Sequence, residues 1–577
     1  MTTFTLAISG SGGAGAISTG ELLLQMAAQN GCYGMLKKTF SPQIRGGESA
    51  AIIRLGSAPV STIPARIELL IALDWQNFSR FADELPLSAD TLVLHTGAAD
   101  APPGIASDKL LTIDAARIAS SVDSGWLNMV FLGLLAQSLG CAYAAAEALL
   151  LARLRKHEQA TRDAACRALQ AGFGEALPDA LQEQFAAFNS AALRVTMQSP
   201  THQRWLASGN QMAALGALEA GVRFVAAYPI TPASDLLEWL AQHIEDHGGH
   251  LVQAEDELAA INMVIGAGFG GVPSMTATSG PGMALMSEAM GLAVASETAA
   301  VVVDVMRGGP STGIPTKSEQ SDLNLALYGL HGDAPHVVLA AQSIADCHFT
   351  TVWAVHLATR LQTLVIVLSD QFLGQSIQVF DAPALDCPRA PVERAAPEAP
   401  YLRYRDTSSG VSPLALPGEP DHMFTADGLE HGENGIPSPR SHDHRTQLDK
   451  RLRKLARFDF GEHWADLSGQ GEGRTLIICM GSVTACALEA RDMLAGGGHA
   501  VAVLGLRLLA PLPLKQMVPL LEPAGRLLVV EHNHGAQLWH YLRSQLPQFA
   551  FESLALPGPT PIQPGDIFAA LEITDVA

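Results

Sequence analysis

Residues 299–313 read Ala-Ala-Val-Val-Val-Asp-Val-Met-Arg-Gly-Gly-Pro-Ser-Thr-Gly. The apolar run predicts a strand over 300–306, and Arg307 then opens a loop of small and hydroxyl residues. The same transition recurs on the N-terminal side. Phe224–Ala227 reads as a strand running into Tyr228-Pro-Ile-Thr-Pro-Ala-Ser234, and Ser234–His243 as a helix with Ser234 as its N-cap. Leu251–Gln253 leads into Glu255-Asp256-Glu257 and an apolar helix, and Ser274–Thr278 leads into Ser279-Gly-Pro-Gly282. Downstream, His336–Leu339 and Thr363–Leu368 are further strands. Short apolar strands alternating with helices argue for a parallel, doubly wound sheet. Such sheets bind ligands outside the carboxyl ends of their strands, where these loops fall.

The alternation extends to both flanks. In residues 1–95, Phe4–Ser9 reads as a strand, Gly10–Gly15 as a turn and Thr19–Asn30 as a helix. Ser49–Arg54, Arg66–Leu73 and Thr91–His95 are strands, and the set predicts another parallel sheet. Val130–Ala192 reads as helical. The most apolar window, Trp126–Ala152, carries Asn128, Gln137, Ser138 and Glu147, which argues for two core helices broken near Gly140 rather than a membrane span. Met197–Gly209 is a polar break, and Asn210–Ala220 reads as a helix. Ala382–Arg440 is rich in Pro, Gly, Ser and His and reads as an extended linker or surface arm, closed by the basic stretch Arg445–Arg457. Strands at Thr475–Cys479, Ala500–Leu504 and Arg526–Val530 mark a last unit. The fold class is α/β: three doubly wound domains at 1–195, 200–385 and 470–577, with the arm at 386–465.

Composition narrows the function. The chain has 577 residues, 48% apolar and 16% charged, which excludes global disorder. Its net charge of −21 argues against a nucleic-acid binder, which needs basic clusters. The seven cysteines are scattered with no CxxC, against a zinc ribbon, an iron–sulfur cluster run or a disulfide framework. They fit a reducing, cytoplasmic setting, and the N-terminal residues lack the basic start of a secretion signal.

Each motif carries two readings. Gly10-Ser-Gly12-Gly13-Ala-Gly15 satisfies GxGxxG, whose glycines let backbone N–H groups approach a phosphate. A dinucleotide site also wants an acid about 20 residues on. Between Cys32 and Gly47 there is none, only Lys37, Lys38 and Arg45. A tight turn, or a turn facing another phosphate ligand, remains. Thr231 is either a rigid cap or a ligand contact. Three adjacent acids usually mark a solvated helix start, yet their apolar flanks allow one to face a cleft with a raised pKa, suited to proton transfer. Arg307 either binds a carboxylate or phosphate bidentately or pairs with one of those acids. His532 and His534 read as surface histidines, with no third metal ligand suggested; no metal site is assigned to this chain.

With these loops on the page, the sequence resembles the alpha subunit of 2-oxoacid:ferredoxin oxidoreductases, in the form with a gamma domain fused in front. The likeness is carried by GNQMAALGALEAGVRFVAAYPITPAS from Gly209, VQAEDELAAINMVIGAGFGG from Val252, MTATSGPG from Met275 and MRGGPSTGIPTKSEQSDL from Met306. GSGGAGAISTGELL and RGG at Arg45 are similar to the gamma domain; SPLALPGEP from Ser412 and EHNHGAQ resemble later parts.

The resemblance implies a gamma domain at 1–195 on the coenzyme A side, a pyrimidine-binding domain for thiamine diphosphate at 200–385, and a transketolase C-terminal-like domain at 470–577. It implies decarboxylation of a 2-oxoacid, 2-oxoglutarate favoured, with electrons passed to ferredoxin and the acyl group to coenzyme A. Glu255 matches the glutamate that contacts the cofactor's pyrimidine, with Glu257 the alternative in this register. Arg307 matches the arginine holding the substrate carboxylate, and Thr231 the threonine beside it. Tyr228, Pro229, Ile230, Thr278 and Ser279 fall around the cofactor. Gly12, Gly13, Arg45, Ser311, Thr312 and Lys317 are candidates for the substrate and coenzyme A side. No Gly-Asp-Gly motif for a magnesium-bound diphosphate occurs, and no cysteine cluster. A beta subunit is therefore expected to bring Mg²⁺, the diphosphate site and a 4Fe–4S cluster, in a dimer of alpha–beta heterodimers with ferredoxin docking on beta.

Overall fold

The structure is a computed structural model that describes residues 2–40, 47–75, 78, 82–96, 106–113, 118, 126–196, 203–383, 394–395, 401–469 and 473–573. The chain forms two compact units, Met1–Ala207 with Ser376–Pro383, and Ser208–Gln375 with Ala384–Ala577.

The first unit is built on strands β1 (Thr3–Ser11), β2 (Tyr33–Phe40), β3 (Glu48–Gly56), β4 (Leu69–Ala72), β5 (Leu92–His95), β6 (Leu110–Thr112) and β7 (Arg204–Ser208). The returning segment Ile377–Asp381, β14 in chain order, completes a sheet ordered β6-β5-β4-β1-β3-β2-β14-β7. Strands β1, β4, β5 and β6 are parallel. Strand β3 runs antiparallel to both β1 and β2, and β14 antiparallel to β2. The sheet is therefore mixed, not wholly parallel as expected. Strand β2 escaped the apolar-run reading because Lys37 and Lys38 interrupt it; Lys38 reaches Glu21 on the covering helix at 2.7 Å. With β3 lying between β1 and β2, the glycine turn does not open the adjacent parallel pair of a dinucleotide fold.

The apolar window resolves into helices Leu127–Ser138 and Tyr143–Arg153, parted at Gly140 (φ 75°). Its Gly133 has a packing reason. A Cβ there would lie 2.2 Å from the Leu169 carbonyl oxygen, so the helices Leu127–Ser138 and Gln159–Phe173 pack backbone to backbone. Among the described residues no helix is long and apolar enough to cross a membrane.

The second unit carries two sheets. One contains β8 (Phe224–Ala227), β9 (His250–Gln253), β10 (Ser274–Thr278), β11 (Ala300–Met306), β12 (Val337–Ala340) and β13 (Leu364–Asp370). The other contains β15 (Ala465–Ser468), β16 (Thr475–Cys479), β17 (Val501–Leu506), β19 (Arg526–Glu531) and β20 (Glu552–Ala555). Strand β18 (Leu508–Ala510) leaves the C-terminal segment to join the first of these, ordered β18-β12-β13-β11-β10-β8-β9. Strands β8 to β13 are parallel and only β18 is antiparallel. Helix starts differ from one expectation: Ala233, not Ser234, is the N-cap of Ser234–His243 and gives no side-chain cap. Asp256 caps Glu257–Phe269 instead, its Oδ1 accepting from the Ala259 N–H at 2.8 Å.

The Pro-rich segment is less of a free arm than its composition suggests. In its described part Tyr404, Ser412 and His431 are fully buried, and the following helix Ser441–Arg457 is pinned by ion pairs. Lys450 Nζ and Lys454 Nζ each lie 2.5 Å from the Glu297 carboxylate. Arg403 donates to the Glu297 carbonyl at 2.6 Å. Burial alone would raise the Glu297 pKa, but Lys454, Lys450 and Arg403 more than reverse it, and the carboxyl stays ionised. Burial pushes Lys454 down to about 7 against the pull of Glu297.

Two outcomes are expected. Glu297→Gln, which removes the carboxylate facing two buried lysines, lowers unfolding free energy by about 3–5 kcal/mol in a urea titration. Lys454 binds its proton less tightly folded than unfolded. Its contribution to stability is therefore lowest below about pH 7 and grows as pH rises toward the free-lysine range. The urea midpoint of wild type should climb relative to Lys454→Met over that range, and parallel curves would refute this.

Candidate functional site at the carboxyl ends of the central strands

Strands β8, β10 and β11 end side by side and deliver the three loops read from the sequence. Arg307 follows the last residue of β11 and is 6% exposed. Its Nη1 donates to the Thr231 carbonyl at 2.5 Å and its Nη2 to the Thr312 carbonyl at 3.0 Å. The guanidinium thus joins the Tyr228–Ser234 turn to the 308–317 loop through backbone oxygens. Among the described residues it forms no ion pair with Glu255, Asp256 or Glu257. Burial lowers its pKa, while Asp322 and Asp304 pull it back up.

The turn is set from beneath by Asn210, whose Nδ2 donates to the Pro232 carbonyl at 2.9 Å. Thr231 and Pro229 are exposed, Tyr228 is 40% exposed and Ile230 is half-buried. The three acids separate by role. Glu255 is exposed, Asp256 is the helix cap, and Glu257 is 7% exposed. A Cβ on Gly282 would lie 2.2 Å from Thr278 Oγ1 and 2.8 Å from Glu257 Oε1. The start of helix Gly280–Ala295 thus presses on both side chains, which a residue larger than glycine would forbid. Thr278 and Ser279 are fully buried. Ser311 and Thr312 form the open tip of the last loop, with Ser311 at φ 59°. Lys317 is buried below it, its carbonyl accepting from the Gly308 N–H at 3.0 Å.

Sequence reading passed over Asn210, Asp304, Gln320 and Asp322. Asp304 had a signal, as the one charged residue inside the apolar run 299–306. Gln320 had none: it gains its role by donating from Nε2 to the Met480 carbonyl at 2.9 Å, accepting at Oε1 from the His532 N–H at 3.2 Å and donating its own N–H to the His532 carbonyl. That contact corrects the reading of His532 as a surface residue. It is 2% exposed, while His534 is exposed. Among the described residues no metal-ligand cluster occurs.

The first unit has its own cleft of about 570 Å³ at the start of helix Ala16–Gln29. Gly13, Gly15, Asp74, Asn128, Arg153 and His157 line it. Gly12 and Gly13 are exposed, and Gly13 adopts φ 97°. Arg45 lies outside the described residues.

Known proteins match this arrangement. Residues 215–450 match the family "Pyruvate flavodoxin/ferredoxin oxidoreductase, thiamine diP-bdg", and residues 5–175 match "Pyruvate ferredoxin/flavodoxin oxidoreductase". The 2-oxoglutarate synthase subunit KorA of Archaeoglobus fulgidus is 38% identical over 331 residues, 57% of this chain and 88% of that one. The alpha subunit of 2-oxoacid:ferredoxin oxidoreductase 1 of Sulfurisphaera tokodaii is 36% identical over 59% of this chain; the match spans 56%, about half, of that relative's length. A solved 2-oxoglutarate:ferredoxin oxidoreductase from Magnetococcus marinus, with 2-oxoglutarate, coenzyme A and succinyl-CoA bound, superposes over 99% of both chains. Its TM-score is 0.87 at 30% identity. From the parallel sheet, its three loops and these likenesses together, the chain belongs to the alpha-subunit family of the 2-oxoacid:ferredoxin oxidoreductases.

Proposed function

We propose that this chain is the fused gamma–alpha subunit of an enzyme that oxidatively decarboxylates 2-oxoglutarate to succinyl-CoA. The substrate carboxyl leaves as CO₂, the acyl group passes to the coenzyme A thiol, and two electrons leave to ferredoxin; run in reverse, the reaction fixes CO₂. The observation that carries the reading is Arg307, a near-buried guanidinium seated on the Thr231 and Thr312 carbonyls at the ligand-binding end of the sheet.

The described residues suit a thiamine pyrimidine. Glu257 places a buried carboxyl against Thr278 at a close backbone approach, while Glu255 is exposed. We therefore assign the ring contact to Glu257 and withdraw it from Glu255. When bound, thiamine diphosphate supplies the electron sink that lets a 2-oxoacid lose CO₂. The Glu257 carboxyl holds the proton of a pyrimidine ring nitrogen. Thr278, Ser279 and the Tyr228-Pro229-Ile230 turn shape the pocket around the ring. Arg307 holds the substrate carboxylate bidentately, and the exposed Thr231 hydroxyl donates to the substrate oxygen beside it. Ser311 and Thr312 form the rim, and Lys317 is the cation proposed for the second carboxylate of 2-oxoglutarate. The first unit's cleft, which Gly13 lines, is proposed to receive coenzyme A; Gly12 and Arg45 remain candidates for that ligand from the sequence alone.

A beta subunit completes the site with Mg²⁺, the diphosphate pocket and the 4Fe–4S cluster, in a dimer of alpha–beta heterodimers. The net charge of −21 would repel an acidic ferredoxin, so ferredoxin docks on beta. The described cysteines are unpaired thiols, which supports a cytoplasmic setting. The four-part division at 1–195, 200–385, 386–465 and 470–577 belongs to this proposal.

The complex purified with its co-expressed partner tests the reading with 2-oxoglutarate, pyruvate and a branched 2-oxoacid, with and without coenzyme A, on a viologen dye. Reduction that needs coenzyme A and 2-oxoglutarate confirms it. Preference for pyruvate or a branched acid moves the substrate. No reduction from a complex loaded with cofactor and cluster leaves a non-catalytic scaffold.

In the same assay Glu257→Gln should lower kcat by about 10²-fold or more, whereas Glu255→Gln stays within about threefold. Arg307→Met should raise KM for the 2-oxoacid by at least about tenfold. Gly282→Ala, which pushes a methyl group into Thr278, should cost about 1–3 kcal/mol of stability by chemical denaturation.

A further inference from the structure

Beside Arg307 lies a group of buried polar atoms without hydrogen-bond partners among the described residues: both carboxyl oxygens of Asp304, Oδ2 of Asp322, Oγ of Ser279 and Nε of Arg307. Asp304 is fully buried within β11, in register with Thr278 of β10. Asp322 rests on the start of helix Gly280–Ala295; a Cβ on Gly280 would lie 2.5 Å from its Oδ1. The other charged groups nearby are already engaged. Glu319 accepts from the Gly309 and Gly558 N–H groups at 3.3 and 2.9 Å. Asp370 on β13 accepts from the Leu373 and Ser482 N–H groups at 2.9 and 3.1 Å.

A carboxylate removed from water and given no donor is not sustained as an anion. The single charge of Arg307 cannot neutralise both Asp304 and Asp322, and each of its terminal nitrogens already gives one N–H to a carbonyl. We propose that Asp304 and Asp322 are positioning residues that share one negative charge behind Arg307, and so set how strongly its guanidinium holds an anionic substrate. Asp304 keeps the proton. Were both ionised, the guanidinium would be drawn off the Thr231 and Thr312 carbonyls, and its charge spent on the pair. Burial, with Asp322 adding to it, holds the Asp304 pKa well above the carboxylate range. Burial first and Glu319 second lift Asp322 to about 6. The inference rests on the proposed role of Arg307 in holding the substrate carboxylate.

Two measurements on the co-expressed complex test it. Infrared difference spectroscopy at neutral pH should show a protonated-carboxyl band that Asp304→Asn removes. Calorimetry with 2-oxoglutarate, on complex stripped of its diphosphate cofactor so that no turnover occurs, should show affinity falling as pH rises and the pair loses its proton. In Asp304→Asn that fall should vanish while neutral-pH affinity stays within about twofold, and Asp322→Asn should bind about fivefold tighter. Absence of the band overturns the proposal. So does affinity about tenfold weaker in Asp304→Asn of unchanged stability, since that requires an ionised Asp304. Failure to bind 2-oxoglutarate or pyruvate at all also overturns it, because Arg307 then holds no substrate. A complex that shows the band and these affinities yet oxidises no 2-oxoacid refutes the proposed function and leaves the charge sharing standing.

Discussion

The carboxylate of Glu297 is fully buried just beyond the end of helix Gly280–Ala295, on a residue held at φ 51°. Removing a carboxylate from water costs several kcal/mol unless cations and hydrogen bonds replace the lost solvation. Here the replacements lie 106 to 153 residues downstream, as Arg403 and Lys450, with Lys454 beside them. The helix Ser441–Arg457 can satisfy Glu297 only by lying against the rest of its own unit, and the segment before it must follow. Leu414, Ala415 and Leu416 then line a cavity of about 320 Å³ with Pro273, Thr298 and Ala299, the residues that lead into β10 and β11. The amino ends of these strands are covered in this way, and their carboxyl ends carry the three loops.

A second constraint holds the loop end of the sheet. Gln320 follows the Arg307 loop and is fully buried. Its N–H donates to the His532 carbonyl at 2.7 Å, and Asn533 donates back to its carbonyl at 3.2 Å. Glu531 anchors that turn by accepting from the Leu538 and Trp539 N–H groups. The C-terminal sheet is thus a brace for the loop that presents Arg307, and the crossing of β18 into the central sheet reinforces it. Arg307 closes the frame through two carbonyls and, among the described residues, forms no ion pair with Glu255, Asp256 or Glu257.

Much of this was legible in the sequence because it is local. Apolar runs of strand length, helical periodicity and small-residue turns report the backbone directly. Strands β8, β10, β11 and β13 follow from such runs, as does the break at Gly140. Arg307 stands out because a charge directly after a buried strand has few structural explanations. Strands β2 and β7 were hidden, since lysines break one and a polar composition disguises the other.

Tertiary structure decided what depends on neighbours distant in the chain. Three consecutive acids look alike in sequence; packing exposed Glu255, made Asp256 a cap and buried Glu257 beside Thr278. A basic stretch looks solvated until Glu297 supplies its counter-charge, and His532 looks superficial until Gln320 covers it. Hydrophobic periodicity is a property of adjacent residues, so the sequence by itself determined the element types and the end of the sheet at which the three loops lie. Burial and protonation depend on which side chains meet across a hundred residues or more, and that only the folded chain decides.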